Sequence, residues 1–128
     1  MMFETIADIE RERKAIKSFI KIFKGSFKKL GEHNADYKIF NKEEELIAYA
    51  KVQLVMKPIK KAFPLSVNTK KLVKLSDKRL NPIMIWACED GLIYCPIDKL
   101  DGEIRWSKES ELMAYFNYTN NFKYIKYL

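Results

Sequence analysis

The chain has 128 residues, of which 48% are hydrophobic, and a formal net charge of +7. This length predicts a single domain over residues 1–128 with its own core, and the hydrophobic fraction excludes a largely disordered chain. The sequence contains no apolar run of about 18 residues, and its N-terminus lacks the basic-then-apolar order of a secretory signal. We therefore expect a soluble protein of the cytoplasm, or of the host cytoplasm if the source is viral, without a membrane partner.

The positive charge is concentrated in the first two thirds of the chain. Residues 1–80 contain 19 Lys and Arg against 10 Asp and Glu, whereas residues 81–128 contain 5 against 7. Such a concentration suits binding to a phosphate backbone, because each neutralised phosphate releases condensed counterions. A solvated, lysine-rich surface from an AT-biased genome explains the same pattern, and Lys outnumbers Arg 20 to 4.

Residues 3–23 are predicted to form an amphipathic helix that Gly25 ends. Isoleucine and phenylalanine recur at helical spacing along one stripe, and acidic residues precede lysines along the segment. The same spacing places Glu12 on the apolar stripe. From its position alone, Glu12 could lie at the margin of the stripe and reach solvent, or pair with Lys51 across the core.

A strand over residues 45–55 is the centre of the predicted fold. Its residues alternate with a period of two and both faces are mainly apolar, so we expect it to be buried on both sides. Lys51 and Gln53 interrupt one face, and buried polar groups are costly unless they are paired. Two earlier strands are predicted over 26–30 and 36–40. The turn between them holds His33, which we expect to be a loop residue and not a ligand.

The Asp36 that opens the second strand, followed by polar residues two apart on the third, resembles the PD-(D/E)XK nuclease superfamily. The resemblance implies an α+β, restriction-endonuclease-like core with a central mixed sheet flanked by helices. In that family an Asp on one strand and a Glu-x-Lys on the next hold Mg²⁺ or Mn²⁺ and activate water, and a Glu on the first helix often assists. Here the matching triplet is Lys51-Val52-Gln53, so Lys stands where Glu is expected and Gln where Lys is expected.

These exchanges predict an altered, inactive site formed by Asp36, Lys51, Gln53 and Glu12. An ammonium at position 51 would repel a divalent ion, and Gln53 can orient water but supplies no positive charge. We expect an ion pair from Lys51 to Asp36 or Glu12 to replace the metal. No cofactor is then needed, and Asp36 would be a ligand of Mg²⁺ or Mn²⁺ only in an active enzyme.

The segment after the central strand also resembles the family, in which a strand, a polar break and a helix that begins with Lys follow the triplet. We predict this helix over residues 69–79, with Leu72, Val73 and Leu75 turned inward. A hairpin over residues 83–97 follows, with its turn at Asp90-Gly91 and its second arm at a sheet edge because of Pro96.

The two cysteines lie on opposite arms of this hairpin. A two-residue turn at Asp90-Gly91 sets Cys88 opposite Ile93 and Cys95 opposite Trp86, so the thiols are diagonal and we expect them to be reduced. After the hairpin we predict a helix that starts at 107–110 and continues through 112–116. The aromatic and lysine-rich end, 117–128, fits a terminal strand with one half-buried face, a stacking platform for single strands, or an oligomer contact.

Three functions follow from these residues. The first is a pseudo-nuclease that binds nucleic acid, above all DNA, through a basic face formed by Lys57, Lys60, Lys61, Lys70, Lys71, Lys74, Lys78 and Arg79. The second is an active, metal-dependent endonuclease with a migrated site that uses Asp36, Glu12 and Glu45, with Lys51 or Lys70 as the cation. The third is a phage-type inhibitor or adaptor that binds another protein, and a homodimer is left open.

Overall fold

A computed structural model of the chain describes residues 5–30, 36–78 and 80–127. Two helices, nine strands and two short 3₁₀ turns make up the described part. The elements are α1 (Ile6–Phe23), β1 (Ser26–Lys29), β2 (Asp36–Phe40), β3 (Leu46–Leu54), β4 (Leu65–Asn68), α2 (Thr69–Ser76), β5 (Pro82–Ala87), β6 (Gly91–Pro96), β7 (Glu103–Trp106), β8 (Leu112–Phe116) and β9 (Lys123–Lys126), with the 3₁₀ turns at Ile59–Lys61 and Ile97–Lys99.

Six of these strands form a central mixed sheet in the order β1-β2-β3-β5-β6-β9. Strands β3 and β5 run parallel, and the other neighbours in this sheet are antiparallel. The connection between β3 and β5 contains β4 and α2, and β4 joins a second, three-stranded sheet in the order β4-β8-β7. The predicted α+β class with a mixed central sheet is confirmed.

Each face of the central sheet is covered by a different layer. Helix α1 packs its residues Ala15, Ile16 and Phe19 against Ala50 and Val52 of β3. The opposite face carries the fully buried Trp86 and packs against β4, β8 and α2. The Trp86 Nε1–H donates a hydrogen bond to the Ser66 carbonyl oxygen at 3.0 Å, which ties the small sheet to the central one.

Helix α1 is confirmed, but its termination differs from the prediction. Thr5 caps the N-terminus in a capping box with Asp8. At the other end Lys24, not Gly25, adopts the left-handed conformation with φ 52°. A glycine is still required at position 25, because a Cβ there would collide with the Phe40 carbonyl oxygen.

The strands β1, β2 and β3 lie where the sequence predicts them. Asn41 shapes the turn between β2 and β3, since its Oδ1 accepts the backbone N–H groups of Glu43 and Glu45. Lys51 is buried within β3 at 7% exposure, as a strand covered on both sides requires. The predicted turn with His33 lies outside the described residues.

Helix α2 is shorter than predicted. It ends at Ser76 and starts after Asn68, whose side chain accepts the Lys70 N–H. Leu75 is buried, but Val73 is 60% exposed, so the prediction that Val73 turns inward is wrong. The helix is only eight residues long and buries Leu75, whereas Val73 lies on the same outer depression as Lys70 and Lys74.

The hairpin of β5 and β6 is confirmed with a different register. The Cys88 N–H bonds to the Gly91 carbonyl oxygen at 2.8 Å, so the two turn residues are Glu89 and Asp90. Cys95 therefore stands opposite Met84, not Trp86, and both cysteines are free and buried, as expected. The prediction that the second arm is an edge strand is wrong over Gly91–Tyr94, because β9 pairs there; Pro96 lies beyond that pairing.

The predicted helix over 107–116 is a turn followed by a strand. The Ser107 N–H bonds to the Glu111 carbonyl oxygen at 2.8 Å and closes the hairpin of β7 and β8. Strand β8 then pairs with β4 on its other side, and this long-range pairing overrides the local helical signal. The predicted terminal strand is found in part, as β9. Neither described helix is both long enough and apolar enough to cross a membrane.

Candidate functional site

Asp36 and Lys51 form a largely buried ion pair on the central sheet. The antiparallel register of β2 and β3 sets the two residues directly opposite each other. The Lys51 Nζ lies 3.5 Å from the Asp36 Oδ1, and the side chains are only 8% and 16% exposed respectively. One of the two expected ion pairs of Lys51 is thus confirmed.

The surroundings of Lys51 make its charge costly. Burial lowers the pKa of Lys51 below its ordinary value of 10.5, and the nearby charge of Lys71 lowers it further. The charge and hydrogen bond of Asp36, with a smaller contribution from Glu12, oppose that shift without cancelling it. Additional negative charge brought near Lys51 and Lys71 would therefore favour the ammonium form of Lys51.

Glu12 belongs to a second buried cluster on the α1 side of the sheet. It is 1% exposed, its Oε1 lies 2.7 Å from the Lys29 Nζ, and the same oxygen accepts the Tyr37 hydroxyl at 2.5 Å. The expectation that Glu12 reaches solvent is wrong, because β1 supplies a cation and β2 a hydroxyl at the apolar stripe. Tyr37 belongs to the core beneath α1, and the alternation along β2 turns its neighbour Asp36 to the other face.

The carboxylates needed for the migrated-site alternative are not brought together. Glu45 precedes β3, six residues before Lys51, which places it about 20 Å from the Asp36–Lys51 pair along an extended strand. Among the residues that the structure describes, no group of three or more His, Cys, Asp or Glu side chains is placed to hold a metal ion. A hydrolytic metal centre has no ready set of ligands there.

Gln53 lies two residues beyond Lys51 on the same strand, opposite Trp86 of β5. It lines a cleft of about 200 Å³ with Lys57 and Ser66. The cleft is therefore lined in part by an amide, which can donate and accept hydrogen bonds.

The predicted basic residues lie on two segments, and those of α2 lie nearest to the buried pair. Lys71 is close enough to affect the pKa of Lys51, and the Lys78 Nζ lies 5.5 Å from the centre of the Tyr49 ring. Lys70 and Lys74 line a shallow depression on the outer side of the helix. All four of these lysines are exposed, so α2 and the turn that follows it present a continuous set of cations.

The other predicted basic residues precede β4. Lys57, Lys60 and Lys61 are exposed. Their segment is held to the turn of the β5–β6 hairpin, because the Ile59 N–H bonds to the Asp90 Oδ1 at 2.8 Å. The acidic turn residues therefore lie beside these lysines. Arg79 is outside the described residues.

A further lysine groove, which the sequence reasoning missed, lies on the α1 side of the sheet. It has a volume of about 470 Å³ and is lined by four lysines together with apolar residues; the lining is Lys14, Lys17, Ser18, Lys21, Ile22, Ile125 and Lys126. The spacing of three and four residues in α1 shows three of these lysines on one helical face. The fourth comes from β9, and no local pattern shows that β9 lies beside α1.

The cysteines are not suited to nucleophilic chemistry. Burial, with the nearby Asp90 and Glu89 carboxylates, raises the pKa of Cys88 to about 12. Burial also raises the pKa of Cys95. Since the thiolate is the reactive form, both side chains act as core residues.

No protein-family model, curated protein or solved structure gives a significant match to this chain.

Proposed function

We propose that this chain is a PD-(D/E)XK-like pseudo-nuclease that binds nucleic acid, above all DNA, without cleaving it. The observation that carries the proposal is the buried pair of Asp36 and Lys51, at the positions where the resemblance implies a metal ligand and the start of the catalytic triplet. The ammonium supplies the positive charge next to Asp36 that a divalent ion would otherwise supply.

The order of the elements supports the scaffold part of the proposal. A first helix is followed by β1, then by a strand that opens with Asp36, and then by the strand with Lys51 and Gln53. A short strand, the capping Asn68 and a helix with lysines in its first turn then lead to the strand and hairpin that complete the sheet. This is the order that the resemblance implies for a restriction-endonuclease-like core.

The geometry argues against hydrolysis. Metal-assisted cleavage of a phosphodiester needs carboxylates that hold the ion and place a water in line with the phosphorus. Asp36 faces Lys51, whereas Glu12 is occupied by Lys29 and Tyr37 on the other side of the sheet. We therefore propose no cofactor, and Mg²⁺ or Mn²⁺ would matter only for the active alternative.

The exposed lysines of α2 support binding to a phosphate backbone. Their ammonium groups are solvated, so contact with phosphates would release counterions and make the affinity fall with salt. Phosphates at Lys71 would also add the negative charge that favours the buried ammonium of Lys51. The segment with Lys57, Lys60 and Lys61 would extend the contact, and its acidic neighbours make it the weaker part.

Fluorescence anisotropy with labelled double- and single-stranded DNA, measured at several salt concentrations, tests the binding. The triple variant Lys70→Glu/Lys71→Glu/Lys74→Glu should lower the affinity at least tenfold. The matched control Lys14→Glu/Lys17→Glu/Lys21→Glu changes the net charge equally on the opposite side of the sheet. An equal loss in both variants would show that only the overall charge matters and would contradict an α2 interface.

The same preparations test cleavage. Incubation of supercoiled plasmid with Mg²⁺ or Mn²⁺ should leave it intact, for the wild type as for Asp36→Ala. Nicking by the wild type that disappears in Asp36→Ala would establish the active endonuclease instead.

A further inference from the structure

Strand β7 is the exposed edge of the small sheet. Among the strands that the structure describes, β7 pairs with β8 alone, and all four of its residues are exposed. Ile104 is 65% exposed and Trp106 is 71% exposed. Proteins usually protect such edges, and large apolar side chains there are typical of a surface that another chain covers.

The apolar side chains of this edge lie on one face. Ile104 stands opposite Ala114 in β8, and Trp106 stands opposite Leu112, which is itself 37% exposed. Glu103 and Arg105 alternate to the other face, where the Arg105 guanidinium lies 4.3 Å from the centre of the Tyr115 ring. The strand thus has one apolar face and one face with both signs of charge.

We propose that β7 pairs with β7 of a second copy of this chain, antiparallel and about a two-fold axis perpendicular to the sheet. The two small sheets would then form one six-stranded sheet across the dimer. Such an axis keeps each face of the sheet on the same side in both copies. Apolar residues therefore meet apolar residues, and charged residues meet charged residues.

Charge complementarity selects the register of this pairing. With Ile104 on the axis, Glu103 lies opposite Arg105 of the partner subunit, and Arg105 lies opposite Glu103 of the partner subunit. A register centred on Arg105 would instead set two guanidinium groups against each other. Opposite charges across a strand pair stabilise it and like charges destabilise it, so the first register is favoured.

The same register places Trp106 within the interface. It lies opposite Gly102 of the partner subunit, which brings no side chain of its own to the contact. Gly102 cannot readily be another residue, because a Cβ there would collide with the Tyr115 carbonyl oxygen. Buried tryptophans contribute strongly to protein interfaces, so Trp106 should be the main apolar anchor.

The position of β7 also suits association of a basic protein. The chain carries +7 overall, and two copies repel each other where their lysines meet. Residues 98–111 contain five acidic and three basic residues, so contact through this segment brings together the less basic parts of the two copies. The proposal does not depend on nucleic-acid binding.

Exchange of the two charges gives a direct test by sedimentation equilibrium. Wild type should be a dimer, and Glu103→Arg and Arg105→Glu should each be monomeric because each sets like charges opposite one another. An equimolar mixture of these two variants should form a heterodimer, and the double variant Glu103→Arg/Arg105→Glu should dimerise again. Glu109→Arg, in the exposed turn after β7, is the control with the same charge change and should stay dimeric.

Trp106→Ala should weaken the dimer at least tenfold while the cooperative thermal transition is retained. A monomeric wild type at the highest concentration reached, or a mixture of the two single variants that stays monomeric, overturns the proposal. A stable complex of the monomeric protein with a different chain through β7 would likewise replace the second copy as the occupant.

Discussion

Asp36 and Lys51 face each other across β2 and β3, with 3.5 Å between the Oδ1 and Nζ atoms and little of either side chain in contact with water. A buried ion pair has a large desolvation cost, so its net contribution to stability is small even though the loss of one partner is damaging. This asymmetry can be measured.

Asp36→Ala should lower the free energy of unfolding by about 3 kcal/mol, because it leaves a buried ammonium without its carboxylate. The double variant Asp36→Asn/Lys51→Met should lie within about 1 kcal/mol of wild type, since it removes both charges. Urea unfolding at neutral pH measures both values. A double variant less stable than Asp36→Ala would mean that the pair itself stabilises the fold.

The lowered pKa of Lys51 predicts a specific dependence of stability on pH. Between the folded-state pKa and the unfolded value of 10.5, the unfolded chain binds the proton and the folded chain does not. The contribution of Lys51 to the free energy of unfolding should therefore increase as pH rises through that window.

The raised pKa of Cys88 acts with the opposite sign, because stability from that group is lost as pH rises from 9 toward about 12. The Cys88 contribution is the same in wild type and in Lys51→Met, so it cancels when their free energies of unfolding are subtracted. Urea unfolding of both proteins from pH 7 to pH 10 should show that the stability of wild type, relative to that of Lys51→Met, increases as the pH rises. If the stability of wild type relative to Lys51→Met decreased as the pH rises, the pKa of Lys51 would be raised and not lowered.

Glu12 should be important for stability and not for binding. Glu12→Ala is expected to cost about 3 to 5 kcal/mol, because Lys29 and the Tyr37 hydroxyl lose a buried carboxylate. The exposed Glu10→Ala on the same helix should change stability by less than about 0.5 kcal/mol. A milder variant, Glu12→Gln, allows DNA affinity to be measured on folded protein, and that affinity should equal the wild-type value. A tenfold change would assign Glu12 to the binding site.

The sequence predicted the elements whose pattern is local and strong. Strand β3 alternates with a period of two and has one wholly apolar face, and α1 has both an apolar stripe and ordered charges, so neither depends on distant partners for its identity. The buried pair could also be predicted, since Lys51 needed a partner and Asp36 was one of two candidates.

The errors fall where distant contacts decide the structure. Residues 112–116 form the strand β8 because they pair with β4. Strand β6 is an interior strand because β9, from the end of the chain, pairs with its outer side. The same applies to Glu12, whose cation comes from β1 and not from Lys51. The helix signal at 107–110 depended on a serine-rich turn that also suits a hairpin.

The bond from the Trp86 indole to Ser66 has a consequence for the basic helix. Ser66 lies two residues before Asn68, the residue that caps α2, so the indole fixes the direction in which that helix leaves the small sheet. A contact in the interior of the molecule thereby determines the direction in which the lysine side chains of α2 point. A core substitution that shifts the Trp86 ring would therefore reorient the lysines of α2, although no surface residue is changed.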